Sequence, residues 1–164
     1  MPVLFRKPVL QSMSQGSRLA FVRQFRGMTQ HQLGISVGMS DERVRNRICR
    51  YEKGGRTPKL DRIEKFAEVL HVNIGVIKVY DFVDPMDVIY EFFWLEELIP
   101  DFVLNVDKSI KAENVTAEYF TKIYPLWNQM RNKYKNREIS DVEYLEWKFT
   151  YQFSNATCGQ LDHK

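Results

Sequence analysis

The chain has 164 residues but only two cysteines, Cys49 and Cys158, which make no disulfide framework; a reducing cytosol is the expected compartment. No apolar run approaches the ~20 residues that a membrane helix needs, so no membrane association is expected. Residues 1–13 carry Arg6 and Lys7 but lack the apolar centre of ~7–15 residues found in a secretory signal. The three histidines, His31, His71 and His163, share no ligand spacing with each other or with a cysteine. Glycine-rich phosphate loops and nucleophile elbows are missing too. The chain is also far shorter than a barrel enzyme of ~250 residues. Neither a metal, a cofactor nor an enzymatic activity is therefore expected, and no internal repeat or low-complexity tract is present.

What is present is an uneven distribution of charge. The net charge of +3 conceals a first half, residues 1–82, with 15 Lys+Arg against 7 Asp+Glu, and a second half, residues 83–164, with 9 against 14. Aromatics are skewed the other way, with 7 of 22 in the first half and 15 in the second. A basic half suits a polyanion; an acidic, aromatic-rich half suits packing or a protein partner. The expected organisation is an arm (1–13), a basic unit (14–82), a second unit (83–153) and a frayed tail (154–164).

The local signals are helical almost throughout. From Ser14 onward, Leu19, Val22 and Phe25 recur at helical spacing, and Gly27 ends that helix. Thr29 caps a second short helix containing Leu33. Ser40 or Asp41 is the expected cap of a third helix reaching Lys53, with Val44, Ile48 and Tyr51 inward and Gly54-Gly55 as its stop. Thr57-Pro58 reads as a cap plus first-turn proline for a fourth helix through Leu70, and Asn73 caps a short fifth. Asp84-Pro85 opens the next helix, whose expected apolar face is Val88, Ile89, Phe92, Phe93 and Leu95. Phe102–Val106 suggests a short strand. Pro125 is expected to kink or restart the helix beginning near Thr116. Ser140 with Glu143 forms a capping box for a last helix. The expected fold class is mainly α, a five-helix bundle followed by a small, mostly helical unit with one short strand.

The segment 18–70 carries an ordered set of motifs: Arg23, Gly27-x-Thr29-Gln30, Leu33, Gly38-x-Ser40, Tyr51-Glu52-x-Gly54, Pro58 and Ala67-x-x-Leu70. This set resembles the phage-repressor helix-turn-helix family (Cro-type, or XRE). The resemblance implies a helix-turn-helix bundle that reads double-stranded DNA with its third helix. It also implies an Arg23–Glu52 ion pair joining helices one and three, and a backbone-anchoring role for Gln30. The residues suit that task on their own chemistry. Arginine forks match guanine O6/N7 and asparagine matches adenine N6/N7. One departure stands out: Ser40 precedes Glu52 by twelve positions, about one helical turn more than the family pattern. Either the third helix is longer at its front, projecting Asp41, Glu42 and Arg43, or the turn is longer and the helix begins near Val44. Counting back from Glu52, the expected base readers are Arg45, Asn46 and Arg50. Gln30, Arg43, Arg47, Lys53, Arg56 and Lys59 are the expected additional or phosphate contacts.

The second half resembles, more loosely, the C-terminal part of helix-turn-helix regulators of integrative and conjugative elements. Fifteen aromatics are more than a small unit readily hides, so Phe92, Phe93, Trp94, Trp127 and Trp147 are candidates for a homodimer or partner surface. The Glu91, Glu96 and Glu97 cluster reads as solvated surface. The expected function is a sequence-specific transcription regulator, a repressor, of a phage or bacterial mobile element. The alternative keeps the fold and changes the partner: a protein-binding inhibitor, such as an inhibitor of CRISPR nucleases or an antitoxin, built on the same module.

Overall fold

The computed structural model describes residues 5–99, 101, 102, 104 and 115–151, with the side chains of residues 115–119 excepted. Among them are seven α-helices, one 3-10 turn and no strand. The helices are α1 (Gln15–Phe25), α2 (Gln30–Ser36), α3 (Val44–Glu52), α4 (Leu60–Leu70), α5 (Met86–Leu98), α6 (Val115–Lys135) and α7 (Asp141–Thr150); the 3-10 turn is Ile74–Val76. No described helix is long and apolar enough to cross a membrane. Of the strand expected at Phe102–Val106 only Phe102 and Leu104 are described, and neither is in a strand; the Phe102 N–H donates to the Ile99 carbonyl at 3.2 Å. The tail from Ser154 lies outside the described residues.

Local chemistry accounts for most boundaries. The Ser14 hydroxyl accepts from the Ser17 N–H at 3.3 Å and opens α1. Thr29 and Gln32 close a reciprocal capping box on α2, at 3.1 and 2.8 Å. Ser140 and Glu143 do the same on α7. Gly27 and Gly54 follow α1 and α3 with φ of +66° and +74°, where a side chain would be strained.

Four expectations need correction. Neither Ser40 nor Asp41 caps the third helix: it begins at Val44, the second of the two starts that the longer spacing allows, with Arg43 at its cap position and no side-chain cap. Asp41 instead folds back as an Asx turn, its Oδ1 accepting from the Arg43 N–H at 2.9 Å, so the extra residues lengthen the turn. The fourth helix starts at Leu60 rather than at Thr57-Pro58; Pro58 is buried in its lead-in. α5 buries Asp87, Ile89, Tyr90, Phe93 and Trp94, while Val88, Phe92 and Leu95 are only half-buried. The reason is that α5 packs on two sides: Trp94 meets Phe21 of α1, and Phe93 meets Trp127 of α6. Finally, α6 runs unbroken through Pro125, with Ile123 and Trp127 buried on either side of it. Packing of both flanks outweighs the ladder bond that proline cannot make.

The buried apolar residues form one cluster from Leu10 to Phe149 that crosses the expected boundary at residue 82. Phe149 of α7 packs edge-on against Phe21 and Phe25 of α1. The Trp94 indole donates to the Val76 carbonyl at 3.0 Å, and the Phe149 carbonyl accepts from the Asn73 N–H at 2.8 Å. Residues 5–13, expected as a loose arm, are docked: Leu10 is buried, Phe5 meets Phe25 edge-on, and Lys7 pairs with Glu97 at 2.7 Å.

Candidate nucleic-acid interface

α3 is held from beneath by close backbone approach and by a charged clamp. At Gly16 on α1 a Cβ would stand 2.5 Å from the Tyr51 carbonyl oxygen, so only glycine lets α1 lie on the last turn of α3. Gly34 on α2 does the same beside Val44. Val44, Ile48 and Tyr51 fill the space below, and Tyr51 meets Phe66 of α4 edge-on at 6.0 Å. Arg23 grips Glu52 with two N–H groups, at 2.5 and 3.1 Å, and gives a third to the Met28 carbonyl at 2.6 Å. Gln30 joins the clamp by donating from Nε2 to Glu52 Oε2 at 2.8 Å. An amide nitrogen carries two hydrogens, so Gln30 keeps one donor for another acceptor.

The outer side of α3 is cationic. Arg43, Asn46, Arg47, Arg50 and Arg56 line a depression of about 220 Å³. Arg45 is exposed on the other flank of the helix, with half-buried Cys49 between it and Arg50. Among the described residues no carboxylate pairs with Arg43, Arg45, Arg50, Lys53, Arg56 or Lys59, all of which are exposed. Arg47 differs, because the Asp41 carboxylate takes it. The sequence carried no clear sign of that pair, since Asp41 reads equally as a helix cap. Nor did it mark Arg62, whose guanidinium donates to the Val37 carbonyl at 3.0 Å and pins the start of the α2–α3 turn.

The aromatic partner candidates are mostly inside. Phe93, Trp94 and Trp127 are fully buried, and Phe92 and Trp147 are half-buried against other rings. Trp94 and Phe149 pack on α1 and Tyr90 lies against Gly75 of the 3-10 turn, while Phe92, Phe93, Trp127 and Trp147 pack among α5, α6 and α7, so burying these rings needs no second copy. The acidic cluster is not solvated either. Glu97 and Glu96 receive the fully buried Lys148 ammonium at 2.6 and 3.1 Å, and Glu96 also accepts from the Tyr144 hydroxyl at 2.8 Å. Burial alone would push the Glu97 carboxyl up, but Lys148 and Lys7 together outweigh it and hold it below the ordinary range. Glu91 goes the other way: burial raises it, and Arg18 offsets that only in part.

No protein-family model, curated protein or solved structure matches this chain.

Proposed function

We propose that this protein is a sequence-specific, double-stranded-DNA-binding regulator, a repressor of a phage or mobile element, built on a helix-turn-helix of the phage-repressor type. In this reading α2 and α3 are the helix pair and α3 enters the major groove. The carrying observation is the contrast on α3: a rigidly clamped inner face beneath exposed Arg43, Arg45 and Arg50, which have no carboxylate partner among the described residues. Such cations in a chain with enough acid to neutralise them need a polyanion, and a fixed helix axis lets them read base edges. Arg45, Asn46 and Arg50 are the base readers. Arg43, Arg56, Lys53 and Lys59 take phosphates, and Gln30 hands its second N–H to the backbone. A homodimer would set two such helices about 34–36 Å apart on successive half-sites.

The test is selection of duplexes from a random library, followed by anisotropy at several salt concentrations. A defined consensus, bound with a steep salt slope, is expected. Changing Arg45, Asn46 and Arg50 to Ala should erase the preference and leave the melting temperature within a degree or two, because none is buried. Equal affinity for scrambled duplexes would refute the reading and favour an inhibitor that binds protein.

A further inference from the structure

The docked N-terminal segment forms a second cationic surface beside α3. A cleft of about 460 Å³ lies between residues 6–11, α1 and the ends of α2 and α3. Arg6 and Lys53 line it, together with the amides of Gln24 and Gln30. Arg6 and Lys53 are exposed and have no carboxylate partner among the described residues. Two other charged residues of the cleft are already engaged: Lys7 on Glu97, and Glu52 on Arg23 and Gln30. Among the described residues the cleft therefore offers two unpaired cations and three amides, Gln11 included, and its carboxylate, Glu52, is already neutralised.

We propose that residues 5–11 are a strap that clamps the DNA backbone at the flank of the α3 site, with Arg6 and Lys53 each neutralising a phosphate. This rests on the DNA-binding reading above. The strap is set by three anchors that face inward: Leu10 in the core, Phe5 on Phe25, and Lys7 on Glu97 of α5. Because Lys7 is tied to the second half of the chain, its neighbour Arg6 is delivered to the cleft. The acidic half thus supports DNA binding through the strap without touching DNA itself. The phosphodiester is the chemistry that fits, since donors and cations line the cleft and among the described residues no aromatic ring lines it to stack a base.

The experiment measures salt-dependent affinity of the full chain for a duplex it selects and for a scrambled one. Arg6→Gln and Lys53→Gln should each make the slope of log K against log[salt] shallower by about 0.9, equally on both duplexes. The ratio between the duplexes should stay constant, because phosphate contacts position without specifying. Glu97→Gln is the sharper variant: it makes the protein more positive by one charge, yet loosening the strap should weaken binding. An unchanged slope for Arg6→Gln, with sequence preference intact in the wild type, would overturn the strap and leave the α3 reading standing, since Lys53 belongs to both. A wild type that binds both duplexes equally would remove the α3 reading itself. Tighter binding by a folded Glu97→Gln would mean that only the overall field matters, which also overturns the strap.

Discussion

Replacing Glu52 by Gln tests the clamp under α3, because that one carboxylate serves two helices. It accepts from Arg23 of α1 at 2.5 and 3.1 Å and from Gln30 of α2 at 2.8 Å. The Arg23 and Glu52 side chains are 10% and 7% exposed, so water cannot replace the lost partner. Breaking a buried pair from one side costs about 3–5 kcal/mol, because the remaining charge stays buried. Arg23 keeps the Met28 carbonyl, which puts the expected loss near the lower end, about 3 kcal/mol. For a chain of this length each kcal/mol moves the melting temperature by roughly 2–4 °C, so a fall of about 6–12 °C is expected by calorimetry. A glutamine amide also turns an N–H toward Arg23 or Gln30, so Gln30 loses its orientation and DNA affinity falls with the temperature. A double-mutant cycle with Arg23→Met isolates the pair. A loss under about 1 kcal/mol, the worth of a solvated pair, would refute the view that the clamp fixes α3.

Two further outcomes follow from charge placement. Asp41→Asn keeps the Oδ1 that accepts from the Arg43 N–H but frees Arg47. Binding to DNA should tighten and its salt slope steepen by about 0.9; no change would mean that Arg47 does not face DNA. The depressed Glu97 carboxyl contributes stability that is complete above its ordinary value near 4.5 and is lost as pH falls through the lower folded-state value. Glu97→Gln should therefore be less stable than the wild type near pH 6, with the gap closing below about pH 4 in melts across that range; a gap independent of pH would contradict the shift.

The caps at Thr29 and at Ser140 with Glu143, and the glycines after α1 and α3, were legible because they depend on neighbours in sequence. The residues of the α3 face were equally legible, since a helix with Val44, Ile48 and Tyr51 inward must turn Asn46 and Arg50 outward. What was not legible depended on distance or on ambiguous chemistry. Asp41 has the same short carboxylate whether it caps a helix or closes an Asx turn, so the start of α3 stayed open. α5 lacks a single apolar stripe because it is covered on two sides, which misdirected its inward face. Glu97 looked solvated because its partners are remote in sequence, Lys148 on α7 and Lys7 on the strap.

The unequal halves of the chain are explained by where the acids are used. Glu97 takes Lys7 and Lys148, Glu96 takes Lys148, and Glu146 takes Arg26. None of these acids pairs with the exposed cations of α3, so the positive field stays concentrated there instead of being neutralised within the chain. The aromatics follow the same logic. Phe149 of α7 braces Phe21 and Phe25 of α1, and α1 in turn seats the last turn of α3 at Gly16. The second half is therefore a structural support for the cationic helix, linked to it through α1 and through the strap. Changes in α7 that loosen Phe149 should be felt at α3 although no residue of α7 lines the depression there.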